Sequence, residues 1–110
     1  MKPRNYGFEN ELCQAITRRN LVEVHYKNDF AARVFEPYIV FEEPGTKNIT
    51  VAGYQNKNPN KPTDPREWHK FTTGLIMNLK VLAGTFRPDP VFSSFDSNIY
   101  GFNVISAVDR

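Results

Sequence analysis

"LVEVHYKNDFAARVFEPYIVF", residues 21–41, reads as two strands around a short polar turn. Val22, Val24 and Tyr26 alternate with Glu23 and His25, the period of a half-buried strand. Asn28-Asp29 tolerates tight-turn geometry, though no Gly follows to complete the strongest hairpin signal. The second run is largely apolar but holds Arg33, Glu36 and Pro37, and a proline cannot donate to a strand ladder. Pro37 is therefore expected to mark a bend or bulge. Arg33 shares a parity with Phe35 and Pro37 and has two readings. It is either a groove-facing cation that meets phosphate with its planar fork, or a rim cation paired with Glu23 or Glu36.

Upstream, "FENELCQAITRR" (8–19) predicts a helix, with Phe8, Leu12, Ala15 and Ile16 on one face. Glu9 and Glu11 near its start and Arg18-Arg19 near its end suit the helix dipole, and Asn20 is the expected stop. Downstream the period stays at two, and strands are expected at about 21–27, 31–41, 48–56, 67–75 and 79–83. "EEPGTK" (42–47) signals a turn. "NKNPNKPTDP" (56–65) has no apolar residue and reads as an exposed, semi-extended loop. Gly74 interrupts "HKFTTGLIMNLKVL", so a tight turn is expected near 76–78. One helix and five short antiparallel strands imply a mainly β (α+β) domain, a strongly bent sheet or small barrel over residues 1–86. Beyond the "RPDP" hinge, residues 87–110 form an extension. In it, 98–108 alternates well enough to add an edge strand.

At 110 residues there is room for one modest core. Nine Phe, five Tyr and one Trp point to an aromatic core or to a surface that meets a partner. The net charge of +2 is mild, but its distribution is uneven. Lys57, Lys61, Arg66, Lys70 and Lys80 against Asp64 and Glu67 put the positive bias on one loop and the strand after it. Cys13 is the only cysteine, which excludes an internal disulfide and a thiolate cluster within one chain. No charged-then-apolar leader and no apolar run of ~18 residues is present, so a cytoplasmic protein without a membrane partner is expected.

The order of these features resembles the WYL domain, a small Sm-like, SH3-like five-stranded antiparallel β-barrel preceded by a helix and found in bacterial transcriptional regulators. The matching stretches are "LCQAITRRNLVEVHY" (12–26), "RVFEPYIV" (33–40), "ITVAGYQ" (49–55) and "KFTTGLIMNLKVLAGTF" (70–86). Ile49-Thr50-Val51 stands where the family shows Trp-Tyr-Leu. His69 and Leu75 stand where the family's flanking arginines are expected. The resemblance implies a stand-alone ligand-sensing module that binds single-stranded nucleic acid or a nucleotide.

The residues allow the same chemistry. Trp68, His69 and Lys70 follow the basic loop directly, and stacked bases with phosphates on neighbouring cations are how single strands are held. The alternative has Trp68 covering one end of the barrel and Lys70 in solvent. The binding set is therefore Arg33, Tyr54, Trp68, His69 and Lys70, guided by Lys57, Lys61 and Arg66. Tyr26 has the parity of a core residue. His25 and His69 lack a metal-ligand spacing, Cys13 lacks an adjacent base, and no nucleophile or phosphate-loop motif occurs. No enzyme activity and no cofactor is expected. The rival reading is a protein-interaction module that has lost the ligand site and associates through its aromatic tail, with a homodimer as one outcome.

Overall fold

The computed structural model describes residues 4–61, 63 and 65–110, so Met1, Lys2, Pro3, Pro62 and Asp64 lie outside the described residues. Helix α1 (Tyr6–Arg18) begins where the Asn5 side chain accepts from the Phe8 N–H at 2.9 Å. Leu12, Ala15 and Ile16 are buried and Phe8 half-buried, the face its spacing predicts. Glu9 does more than complement the dipole. It is buried, and the Arg4 fork bonds both its carboxylate oxygens at 3.0 and 3.1 Å. The helix ends at Arg19 rather than Asn20. Arg19 takes the left-handed conformation (φ 61°), and its guanidinium bonds the Ile16 carbonyl at 2.6 Å and the Val108 carbonyl at 2.7 Å.

Strands β1 (Asn20–Tyr26), β2 (Arg33–Glu42), β3 (Ile49–Lys57), β4 (Glu67–Thr72) and β5 (Ile76–Thr85) lie in the antiparallel order β4-β3-β2-β1-β5. Val22 faces Phe35 and Val24 faces Arg33, which confirms the opening pair of strands. Pro37 pairs with Gly53 and Ile39 with Ala52, leaving Tyr38 as the extra residue of a bulge. The bend expected at Pro37 is therefore present. It brings β2 so close to β3 that a Cβ on Gly53 would lie 1.8 Å from the Glu36 carbonyl oxygen.

The turn expected near 76–78 falls three residues earlier, in a 3-10 turn at Thr73–Leu75. The buried Thr73 hydroxyl donates to the Ile49 carbonyl there, and Ile76 is already paired with Tyr26. This short turn also sets the curvature. Five flat strands would put β4 and β5 roughly 19 Å apart. The four residue steps from Thr72 to Ile76 span at most ~14 Å even when extended. The sheet must curl. It is not closed into the expected barrel, however. The Thr72 N–H at the end of β4 donates to the Tyr26 hydroxyl at 3.1 Å, and β5 runs away along β1.

On one face of the curl Phe71 meets Tyr26 and Phe35 edge-on, with centroids 4.9 and 5.0 Å apart, over Val22, Val24 and Val51. The tail lies against the other face. The Asp89 N–H donates to the Tyr38 hydroxyl at 2.7 Å, and a turn of helix α2 (Ser97–Tyr100) is capped by Asp96. Strand β6 (Val104–Ala107) then pairs antiparallel with β2, Ile39 facing Ala107. The extra strand is thus present on the chain's own sheet, but shorter than 98–108, because residues 97–100 are helical. Tyr100, Ala107 and Val108 are buried and Val104 is partly buried, whereas Ile99, Ile105 and above all Phe102 (91% exposed) face water. Within one chain those three side chains are left uncovered.

Candidate ligand cleft

Strand parity divides the expected binding set. Gly53 faces His69 and Tyr54 faces Trp68, so the two consecutive side chains leave opposite sides of β4. His69 joins Arg33 on the Phe71 side. Tyr54, Trp68 and Lys70 stand on the other side with Glu36.

Arg33 is tied on every side. Its fork meets both Asp29 carboxylate oxygens at 2.8 Å, and Nη1 reaches the Gln55 Oε1 at 2.9 Å and the His69 Nε2 at 3.3 Å. Its guanidinium also lies 5.5 Å from the Phe71 ring centre. The rim-cation reading named Glu23 or Glu36 as its partner. The partner is Asp29, because the turn at Asn28 (φ 69°) returns that carboxylate over the start of β2. Burial first, and the Arg33 charge second, lower the His69 pKa from its ordinary value of 6.5. His69 is thus a neutral acceptor for Arg33 at neutral pH, not a cation.

The other cations divide the same way. Arg66 pairs its fork with Glu36 at 2.9 and 3.2 Å while its Cζ lies 3.9 Å from the Tyr54 ring centre. Lys70 meets Glu43 at 2.6 Å. Lys57 and Lys61 are exposed and have no ion-pair partner among the described residues. Leu75 lies within the 3-10 turn, its carbonyl accepting from the Lys27 N–H. Cys13 is half-buried, and burial pushes its thiol pKa up, away from the nucleophilic thiolate. Among the described residues no three His, Cys, Asp or Glu side chains converge.

What remains open is a cleft of ≈ 410 Å³ between the Trp68 side of the sheet and the tail. Tyr54 and Trp68 stand perpendicular at 5.1 Å on one wall. Phe92 approaches Trp68 at 5.8 Å and Tyr100 at 5.8 Å on the other. Asp89 and Asp96 are the charged lining residues. Each spends one oxygen on a local turn, Asp89 on the Val91 N–H and Asp96 on the Asn98 N–H, both at 3.0 Å. Sequence reasoning found Tyr54 and Trp68 but missed Asp89, Phe92, Asp96 and Tyr100. The density of aromatics was the available signal. Nothing in the spacing told that the tail folds back over Trp68.

No family model, no curated protein and no solved structure matches the chain. Among the described residues no helix is long and apolar enough to cross a membrane.

Proposed function

We propose that the protein is a non-catalytic, WYL-like binding module that takes its ligand in the cleft between Trp68 and the tail and so modulates a partner. The open aromatic cleft carries this reading, since its size falls within the ~300–1,000 Å³ of small-ligand pockets. The Sm-like, SH3-like reading of the fold belongs to the same proposal. The order of five short strands behind a helix and the sharp bend at Thr73–Leu75 support it.

The resemblance implies a nucleotide or single-stranded nucleic acid as ligand in a bacterial, cytoplasmic setting. Trp68 supports it, being 36% exposed beside Tyr54, where a stacked base contributes ~1–3 kcal/mol. Arg33, Arg66 and Lys70 are held by carboxylates, so phosphates are left to Lys57 and Lys61. At ~0.7 per cation for single strands, log affinity should fall against log salt with a slope of roughly 1.4. Titrating Trp68 emission with short single-stranded DNA, RNA and a mononucleotide at two salt concentrations tests this. Saturable binding with that shallow slope is expected. No binding at low salt would remove the nucleic acid from the reading.

The exposed apolar side chains of the tail favour a second reading, a protein-interaction or self-association module. Val91 and Phe102 are 83% and 91% exposed. A sedimentation mass of two chains that falls to one in Phe102→Asp would select it.

A further inference from the structure

The charge of the cleft is the opposite of what a phosphate requires. Among the described residues no Lys, Arg or His lines it, whereas Asp89 and Asp96 do. Each of these carboxylates keeps a second oxygen without a protein partner among the described residues. The remaining lining is Tyr54, Trp68, Phe92 and Tyr100 together with Val91, Ile99 and Ser93, mostly rings and apolar side chains that offer few hydrogen-bond acceptors. Ring faces attract cations, most strongly those that give up little hydration. Arg66 already shows this attraction on the same wall, its guanidinium 3.9 Å from the Tyr54 centre. That charge is neutralised by Glu36.

Resting on the reading of this cleft as the ligand site, but replacing the nucleotide that the resemblance implies, we propose that its ligand carries an alkylated ammonium group, seated against Trp68 with Asp89 and Asp96 supplying the counter-charge. An alkylated ammonium suits the walls better than a bare one. Its methyl or methylene shell packs on rings and asks for no hydrogen bonds, whereas a primary ammonium brings three donors that rings cannot satisfy. The local field agrees with this assignment. Burial, followed by the negative charges of Asp96 and Asp109, holds the Tyr100 hydroxyl above its ordinary pKa.

Trp68 is the only tryptophan, so its emission reports on this wall alone. The probes are choline, its neutral tert-butyl analogue in which carbon replaces nitrogen, and adenosine monophosphate. Choline should give a saturable change and bind roughly tenfold more tightly than the neutral analogue. Asp89→Asn and Asp96→Asn keep the turn-forming oxygen and remove only the charge. Each should weaken choline by roughly two- to fivefold and leave the neutral analogue unaffected. Trp68→Ala, followed by calorimetry, should lose most choline binding. Equal binding of choline and its neutral analogue would overturn the cationic ligand while leaving a binding module. So would tighter binding of adenosine monophosphate, which would assign the cleft to nucleotides. Failure of all three probes to perturb Trp68 would overturn both the cation and the cleft as the ligand site.

Discussion

The Arg19 guanidinium donates to the Val108 carbonyl at 2.7 Å, joining the end of the helix to a residue 89 positions along the chain. The same group bonds the Ile16 carbonyl, so one side chain both caps α1 and anchors the tail. A hydrogen bond from a charged donor contributes ~1.5–3 kcal/mol, and Arg19 is only half-buried, which favours the lower figure. Arg19→Ala should destabilise by ~2–3 kcal/mol in urea titration. Arg19→Gly loses the same bonds but adopts φ 61° without a Cβ penalty, and should be milder by ~1 kcal/mol. In both, the Val108 N–H, which donates to the Tyr38 carbonyl, should exchange faster with solvent. Equal stability of the Ala and Gly variants would deny the backbone part of this account.

Gly53 is required by contact rather than by a left-handed turn. A Cβ there would meet the Glu36 carbonyl oxygen, which is backbone and cannot swing aside. Gly53→Ala should therefore cost ~3 kcal/mol or more, at the upper end of overpacking effects. Gly84→Ala is the control, because its Cβ would only approach the Leu21 side chain at 3.4 Å. Matching denaturation midpoints for the two variants would contradict the close approach at the Pro37 bulge.

His69 makes stability depend on pH. Its folded pKa is lowered, first by burial and then by Arg33, so the unfolded chain takes up its proton more readily than the folded one. The contribution is complete above the unfolded value near 6.5 and is lost as pH falls through that value toward the folded pKa. His69→Gln keeps an acceptor for Arg33 without a titrating group. Denaturant midpoints at about pH 7.5 and about pH 5.5 should differ more for the native protein than for the variant. An identical pH response in both would place the effect elsewhere.

Much of the scaffold was legible in local chemistry. The alternation of Val22, Val24 and Tyr26 and the proline at 37 mark elements whose cause lies within a few residues, and the strand, the bulge and the helix face follow. The Trp68 cluster was only half legible. Adjacency in sequence suggested one site, but a strand sends neighbours to opposite faces, so Trp68 and His69 part. The partners of the cations were not legible. Arg66 finds Glu36 and Lys70 finds Glu43 across strands, pairings fixed by register rather than by spacing. The cleft's second wall depended on the path of the tail, which only tertiary contacts decide.

The pairing of β6 with β2 also bears on the order in which the molecule assembles. Strands β1, β2 and β3 pair as successive hairpins, while Ile39 must wait for Ala107 from the far end of the chain. Contacts between distant residues carry a larger loop-closure cost and form later. The Tyr54–Trp68 wall should therefore exist before the Phe92–Tyr100 wall arrives, and a molecule touching both acts as a clasp on the final docking step. By mass action such a molecule stabilises only the docked form. Trp68 emission during refolding should show two phases, the slower one absent when residues 88–110 are removed. A single phase in the full chain would mean that the tail and the hairpins form together.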